Sequence, residues 1–582
     1  MKHLLFGALL ALLVVPANGQ VASDPPHKVQ IDFNRWHDHG ELKVDMLRLA
    51  EAFPEFLTYS SLGKSYGGLD IMMMTINNPA TGPEMEKAAM YIEANVHGNE
   101  IQGAEVCLYT IWYLMENYGK IDMITRLVDE RVFYIVPTVN PDGRQYFFED
   151  TGSGARTGHV PVDDDNDGLL DEDGPDDLNG NGVYDTIRKY VPGQGTHRIS
   201  HDDPRILEEV PPGEKGDWVI LGREGIDNDG DGEVNEDGPG GYDPNRNWAS
   251  DWQPNYIQGG SMDYPFQLPT ARAVNDFLVS HPNIAGVQSY HNSGGMILRG
   301  PGAEWQGEYP RADIEIYDAL GEAGERMLPY YDYIVIWSGL YTVHGGFIDW
   351  TNDGLGIISF SNELWNGGQY YNSPKLQDQQ RDPDSPIAGQ KGSYFFDDYL
   401  EFGDQFVEWA PYDHPQYGEV EMGGWKKMRG RIPPRFMNEE LAHRNMAFTL
   451  YQADEMPLMT VGEASVEKVS GDVYRVRVDI TNDRLTPSIT ARGAENQVVD
   501  PDLLTLSGRN VEVISAGWVS SKFEPGATEL IDQHDLRRIM VRNGHPGHTT
   551  RTIEYLVRGS GAVTVGYDSV KGGEASVTVQ LR

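Results

Sequence analysis

Apolar runs rich in β-branched residues alternate with helical patterns from about Val29 to Asp454, and this alternation constrains the fold more than any other feature. "AMYIEANV", "VFYIVPTV" and "IAGVQSY" are typical of buried strands, whereas "AEVCLYTIWYLMENY" has the length and spacing of a helix. Such alternation predicts an α/β fold in which helices cover both faces of a sheet. Ligands of that architecture gather at the carboxyl ends of the strands, so functional residues are expected there.

The helical pattern stops near Glu455, and the rest of the chain has the pattern of strands separated by turns. "VYRVRVDITN", "TIEYLVRG" and "AVTVGYDSVKGGEASVTVQL" all alternate apolar and polar residues. This pattern predicts a second, all-β sandwich domain over residues 456–582, after an α/β domain over residues 28–455.

The first 19 residues have a pattern that is typical of an export signal. Lys2 precedes an apolar run from Leu4 to Val15, and small residues follow at Ala17 and Gly19. The run is too short to cross a bilayer comfortably, and no later segment resembles a membrane span. We therefore expect a cleaved signal peptide over residues 1–19 and a secreted or periplasmic protein.

A formal net charge of −43, from 46 basic and 89 acidic residues, argues against nucleic acid and anionic membranes as partners. The negative charge favours cations as binding partners instead. The surplus is concentrated, because residues 161–240 hold 23 acidic and 6 basic residues. The single cysteine, Cys107, excludes a disulfide framework within the chain, and nothing in the sequence specifies an oligomeric state.

Three short stretches of this acidic insertion, residues 157–240, repeat one scheme. "DDDNDGLLDEDG", "DLNGNGVYD" and "DNDGDGEVNEDG" place Asp or Asn at alternate positions before a Gly, which can wrap several oxygens around one hard cation, as in an EF-hand loop. The alternative is a solvated acidic loop without an ion. We expect structural calcium, and an insertion that has no core of its own. The predicted calcium ligands are Asp163, Asp165, Asp167, Asp171, Asp177, Asn179, Asn181, Asp185, Asp227, Asp229 and Asp231.

Two His and two Glu residues follow apolar strands at positions where they have no evident packing role. "ANVHGNE" supplies His97 and Glu100. "GVQSYHNSGG" places His291 just past a strand, and "IISFSNEL" ends with Glu363. Each His alone is more often a structural residue than a ligand. Together, two His and one Glu form a zinc set with an open position for water, and a further Glu is the usual proton carrier, so the pattern predicts one catalytic zinc.

Five motifs, in their order and spacing, resemble the zinc carboxypeptidase family of the pancreatic carboxypeptidase A and B type. They are "HGNE", "YDPNRNW", "YHNS", "GLYTVHGGFIDW" and "SFSNELW". The resemblance implies a mixed, mainly parallel sheet. It also implies the following roles: zinc ligands His97, Glu100 and His291, general base Glu363, terminal-carboxylate binding by Asn245 and Arg246, a mobile Tyr341, and Ile348 at the base of the pocket for the terminal side chain.

Some positions fit the family less closely. The Arg that polarises the scissile carbonyl in the family should follow the "NPDG" turn, where Arg156 is the best match and Arg144 its rival. Trp365 stands where the family usually has Arg. By analogy with the family, Asp243 is expected to orient a ligand His.

These observations predict an exported zinc metallocarboxypeptidase that hydrolyses the C-terminal peptide bond of peptides or proteins. One alternative is a peptidase of the same fold that cuts the stem peptides of peptidoglycan. A second alternative is a non-catalytic binding module. The intact set of His97, Glu100, His291 and Glu363 argues against the module.

Overall fold

The computed structural model describes residues 27–149, 154, 156–163, 168–201, 203–371, 388–427, 429–521 and 527–582. The predicted export signal lies outside these ranges and stays a prediction. Within them, no helix combines the length and the apolar character that a membrane crossing requires.

The α-helices and β-strands follow the predicted alternation and then change to strands alone. The helices are α1 (His39–Ala52), α2 (Gln102–Asn117), α3 (Asp122–Glu130), α4 (Pro141–Glu149), α5 (Pro269–Ser280), α6 (Arg311–Met327), α7 (Ile336–Gly339), α8 (Phe347–Leu355), α9 (Gly367–Tyr371), α10 (Ala388–Phe396), α11 (Asn438–Asp454) and α12 (Ala491–Asn496). The strands are β1 (Leu57–Lys64), β2 (Asp70–Ile76), β3 (Ala89–Ala94), β4 (Val132–Val136), β5 (Thr186–Gly195), β6 (His197–Ile199), β7 (Leu207–Glu209), β8 (Gly216–Arg223), β9 (Ile284–Asn292), β10 (Met296–Arg299), β11 (Asp332–Val335), β12 (Ile358–Leu364), β13 (Phe406–His414), β14 (Gly418–Trp425), β15 (Met459–Val461), β16 (Ser465–Ser470), β17 (Val473–Asn482), β18 (Asp502–Ser507), β19 (Asn510–Val519), β20 (Thr528–Leu530), β21 (Arg538–Val541), β22 (Thr549–Ser569) and β23 (Gly573–Leu581).

An eight-stranded mixed sheet forms the centre of the α/β part, in the order β1-β2-β4-β3-β9-β12-β10-β11. The central strands β4, β3, β9 and β12 run parallel to one another, and β10 pairs parallel with β11. The pairs β1–β2, β2–β4 and β10–β12 are antiparallel. The predicted mixed, mainly parallel sheet is therefore confirmed.

Helices cover both faces of this sheet, because side chains of a strand point alternately to its two faces. On β3, Met90 and Ile92 pack in one cluster with apolar residues of α1, α2 and α11. Tyr91, between them, packs in a second cluster on the opposite face with residues of α5 and α8. Both clusters are fully buried at the sheet, which explains why the central strands read as continuous apolar runs.

The acidic insertion contributes four strands that its sequence pattern did not predict, and it shares a core with a later segment of the chain instead of forming one of its own. Strands β5 to β8 join β13 and β14 in a six-stranded antiparallel sheet. Ile187 of the insertion packs with Val420 and Met422, more than 200 residues later in the chain. The core was not evident in the insertion's own sequence because half of it comes from this distant segment.

The C-terminal part is an antiparallel β structure. The 21-residue strand β22 pairs with β17 and β19 through its first half and with β18 and β23 through its second half. The sequence pattern had suggested two separate strands here. Apolar residues from both halves, such as Ile553 and Val565, lie in one buried cluster with residues of β17 and β18, as in two packed sheets that share a strand.

Candidate active site

The loop after β3 that carries His97 and Glu100 packs tightly on the start of α4. A Cβ on Gly98 would lie 2.6 Å from the Cα of Gly143, so only glycine allows this approach. Asn140 accepts a hydrogen bond from Gly143 N at 2.9 Å, as an N-cap residue does, so the "NPDG" sequence begins a helix rather than an isolated turn. The packing fixes the backbone between the two ligand candidates.

His97, Glu100 and His291 converge at the carboxyl edge of the central sheet. Glu100 Oε2 lies 3.0 Å from His97 Nδ1 and 2.9 Å from His291 Nδ1, and the two Nδ1 atoms are 3.1 Å apart. All three side chains are almost fully buried. His291 lies inside the end of β9 rather than just past it, as the sequence had suggested.

The donor atoms have the spacing that a zinc ion needs. Nitrogen and oxygen ligands at 2.0–2.1 Å in a tetrahedron lie about 3.3 Å from one another, close to the three observed separations. Three hydrogen-bonding atoms that meet in one buried spot would otherwise repel, unless a proton or a cation lies between them. Burial tends to raise the pKa of Glu100, but the charge of His97 and hydrogen bonds from both imidazoles hold that pKa well below its usual value.

Asp243 holds the other side of His97. Its Oδ1 atom lies 2.9 Å from His97 Nε2, and its Oδ2 atom accepts a hydrogen bond from Arg156 Nε at 3.0 Å. Arg156 Nη1 also donates to Glu100 Oε1 at 3.2 Å. The carboxylate therefore fixes both the orientation of the His97 imidazole, a candidate ligand, and the position of the neighbouring guanidinium.

The rival of Arg156, Arg144, lies beneath the site. It is fully buried, pairs with Glu105 at 3.0 Å, and donates to Asn95 Oδ1 and to the carbonyl of Ile101. Asn95 in turn donates to the carbonyl of His97. Arg144 supports the ligand loop from below and has no access to the pocket.

Glu363, near the end of β12, faces the same pocket as His97 and His291. In the parallel pairing of β12 with β9, Glu363 stands directly opposite His291. Burial and the nearby carboxylate of Glu100 raise the pKa of Glu363 to about 7. Among the described residues its Oε2 atom has no hydrogen-bond partner.

The remaining predicted residues line this pocket. Arg246 is buried, and its Nε atom makes no hydrogen bond to any described residue. Asn245 accepts a hydrogen bond from the backbone N of Phe347 at 3.0 Å, which ties it to the start of α8. Ile348 is 5% exposed, whereas Tyr341 is 49% exposed at the pocket rim.

Asp349 also lines the pocket, although the motifs assigned it no separate role. It is buried, accepts a hydrogen bond from the Tyr309 hydroxyl at 3.1 Å, and has a pKa that burial raises to about 7. Arg431 is a second residue that the motifs did not single out. It donates to Glu100 Oε1 at 3.3 Å from the segment after β14. Its only sequence signal is a basic stretch in an acidic chain.

Two of the Asp-rich loops, residues 163–174 and 227–238, have the same shape where both are described. Gly168 and Gly232 have φ of 99° and 105°, and Asp171 and Asn235 have φ of 51° and 61°. The corresponding residues Asp173 and Asp237 pair in an antiparallel bridge. The two loops therefore lie side by side.

The predicted calcium ligands fall into three groups. Asp227, Asp229 and Asp231 bring carboxylate oxygens within 4.8 Å of one another, and Asp229 also meets two residues that were not predicted, Asp173 and Glu236. Asp165 and Asp167 lie outside the described residues. Most of the others engage protein donors: Asp163 accepts from Gly168 N, Asp171 from Val162 N, Asp177 from Asn181 N and Gly182 N, and Asp185 from the side-chain amides of Asn179 and Asn181.

Comparison with known sequences agrees with this geometry. The sequence profile described as zinc carboxypeptidase matches residues 43–202 and 215–382, more than half of the chain. The chain belongs to the zinc carboxypeptidase family. The resemblance inferred from the five motifs is thereby confirmed. Residues 458–580 match a domain of unknown function.

Individual relatives are similar over shorter stretches. Carboxypeptidase D of Anas platyrhynchos is 33% identical over 147 residues, which are 25% of this chain and 10% of that protein. An inactive metallocarboxypeptidase of Ajellomyces capsulatus is 31% identical over 132 residues, 23% of this chain and 22% of that one. The crystal structure of thrombin activatable fibrinolysis inhibitor superposes with a TM-score of 0.40 at 19% identity, over 59% of this chain and 71% of that chain. This chain therefore spans between a tenth and a quarter of the length of these two curated relatives.

The contact between Asp243 and His97 gives a prediction for metal affinity. Asp243→Asn should weaken zinc binding about 10- to 100-fold, because the amide no longer stabilises the ligand imidazole as a carboxylate does. Competition with a chromogenic chelator measures the dissociation constant. Asp276→Asn, an exposed change on α5, serves as the control, and equal zinc affinity in the two variants would contradict the assigned role.

Proposed function

We propose that this protein is an active, exported zinc carboxypeptidase that removes the C-terminal residue of peptides or proteins. One observation carries the proposal: ligand atoms of His97, Glu100 and His291 converge in a zinc-sized triangle, and the two imidazoles line a pocket together with Glu363 and the buried cation Arg246. The predicted signal at residues 1–19 supports export. Peptidoglycan stem peptides stay an alternative substrate class for the same site.

In this proposal, His97, Glu100 and His291 hold zinc, which when bound would acidify a water molecule and polarise a carbonyl oxygen. Glu363 accepts the proton of the attacking water and then delivers it to the leaving amine. A carboxylate with a pKa near neutrality is suited to both roles, because it can exist in either protonation state.

Arg246 binds the terminal carboxylate of the substrate. A guanidinium matches a carboxylate through two parallel hydrogen bonds, and the Nε atom of Arg246, which no described residue bonds, is available for one of them. Asn245 assists from the adjacent position, and Tyr341 covers the bound residue from the exposed rim. Arg156, beside Glu100, stabilises the oxygen of the scissile carbonyl as negative charge develops on it.

Membership of the family does not by itself make a chain an enzyme, because one relative is an inactive metallocarboxypeptidase. In this chain both imidazoles meet the carboxylate of Glu100, and the same imidazoles line one pocket with Glu363. A binding module would not require a carboxylate oxygen beside such a metal site that makes no hydrogen bond to the described residues, as in Glu363. These features favour an active enzyme.

Replacing the proton carrier tests the proposed reaction. Glu363→Gln should retain about one zinc per chain but lower kcat about 10²- to 10⁴-fold, because the amide cannot transfer the proton. The assay uses peptides with a free C-terminus, and amidated peptides should be resistant because Arg246 then has no carboxylate to bind. Glu439→Gln, on the exposed start of α11, is the control. Near-normal turnover by the Glu363 variant, or equal hydrolysis of amidated peptides, would contradict the proposal.

The pocket also predicts which terminal residue is removed. Ile348 and Phe347 offer apolar contacts, so a terminal Phe or Leu should be preferred over Arg by at least about tenfold in kcat/KM, given ~1.5–3 kcal/mol for burying such a side chain. Dipeptides that end in Phe or Arg, compared at about 0.15 M ionic strength, measure the ratio. A preference for Arg that Asp349→Asn abolishes would instead assign specificity to the buried acid.

We further propose that the paired Asp-rich loops bind calcium through Asp229 and its neighbours. The support is the repeated oxygen pattern and the convergence of Asp173, Asp229 and Glu236 from the two loops. Calcium added at 100 times its dissociation constant to stripped, zinc-loaded protein should stabilise the fold by ~2.7 kcal/mol and raise its melting temperature. Asp229→Asn should reduce the rise, whereas Asp276→Asn should not. An unchanged melting temperature in the wild type would contradict calcium binding.

A further inference from the structure

Residues 426–435, "KKMRGRIPPR", contain five cationic residues and no acidic one. We call this stretch the basic segment. In a chain with a net charge of −43 such a local excess needs a cause, and the reaction proposed above does not use it. Its described residues follow β14 and lead to α11.

Arg431 brings the basic segment to the metal ligands. Its Nη2 atom donates to the carbonyl of Asn292 at 2.6 Å and to Glu100 Oε1 at 3.3 Å, and its side chain is 40% exposed. Among the described residues, its Nη1 and Nε atoms make no hydrogen bond. A guanidinium therefore lies next to the candidate catalytic centre with two donor groups available to a ligand.

Arg431 and Glu100 do not line the pocket that holds Arg246 and Ile348. A substrate whose terminal residue fills that pocket must pass its scissile bond over His97, His291 and Glu363. Arg156 of the pocket and Arg431 contact the same Glu100 oxygen, at 3.2 and 3.3 Å, so the exposed guanidinium of Arg431 lies close to that bond and to the residues that precede it.

A cavity of about 300 Å³ lies along the same segment. Ile432, next to Arg431 in the chain, forms part of its wall. The charged residues of the wall are four cations from the basic segment and two acids, which leaves a positive excess. These six are Lys426, Lys427, Arg429, Arg435, Glu401 and Asp404.

We propose that Arg431 and the basic segment bind acidic side chains of the substrate upstream of the scissile bond. The enzyme then prefers peptides whose residues just before the terminal one are Glu or Asp. This inference rests on the proposed carboxypeptidase function and narrows its substrate class. The net charge of the protein opposes such a preference at long range, so the preference requires local cations.

The test compares two acetylated tetrapeptides that end in Phe and carry either Glu-Glu or Gln-Gln at the two preceding positions. At about 0.15 M ionic strength, kcat/KM of the wild type should be about fivefold higher for the Glu-Glu peptide, with the difference mainly in KM. Arg431→Gln should bring the ratio of the two peptides close to one. Arg431→Lys should retain part of it, since the positive charge remains.

The ratio is read within each variant, so a change in zinc content or in overall activity does not affect it. Arg558→Gln is the matched control, because Arg558 is 50% exposed, pairs with a single Glu and lies in the C-terminal domain. A wild-type ratio of one or below, or an unchanged ratio in Arg431→Gln, would overturn the inference. Failure to hydrolyse either peptide would instead count against the proposed carboxypeptidase function.

Discussion

Parallel pairing of β9 with β3 on one side and with β12 on the other is the interaction on which the site depends. It brings Tyr290 opposite Ala94 and Glu363 opposite His291, although these residues are far apart in the chain. Because parallel strands end at the same edge, each strand delivers its last polar side chain to one place. A slip of one residue in either pair would turn that side chain to the other face of the sheet, so the buried register also fixes the candidate metal centre.

Charge balance is the second constraint. Glu100 is buried between two imidazoles on Oε2 and two guanidinium groups, of Arg156 and Arg431, on Oε1. Asp243 is likewise shared between His97 and Arg156. A buried charge without partners is costly, so each of these carboxylates satisfies both of its oxygens. The buried Arg144 is also fully partnered, because it pairs with Glu105 and donates hydrogen bonds to the buried carbonyl groups of His37 and Ile101.

The sequence allowed the strands of the candidate site and the polar residues at their ends to be predicted because both signals are local. A run such as "AMYIEANV" predicts its strand, and His97 and Glu100 follow at a fixed spacing. Contacts between segments that are far apart in the chain leave no such signal in the local sequence. Strand β5 finds its partner β14 more than 200 residues away, and Asp173 meets Glu236 only because two loops lie side by side.

Dependence on long-range packing also explains why the motifs did not assign some of the residues around the pocket. Arg431 reaches Glu100 from a segment that follows the six-stranded sheet, so its position depends on how that sheet docks. Arg144 and Arg156 both follow the "NPDG" sequence, and only burial separates them: Arg144 has no exposed surface, whereas Arg156 lines the pocket. The sequence shows which residues are basic, but it does not show which of them lie next to Glu100 and the pocket.

Helix α8 links the candidate pocket to the C-terminal part of the chain. Its first residues, Phe347 and Ile348, line the pocket, and its last carbonyl groups would lack partners within the helix. Thr490 donates to the carbonyl of Gly356 at 2.9 Å, and the buried Lys571 donates to that of Leu355 at 3.3 Å. The β structure therefore supplies hydrogen-bond partners for the last carbonyl groups of a helix whose first residues line the pocket. The position of Ile348 depends on both parts of the chain for this reason.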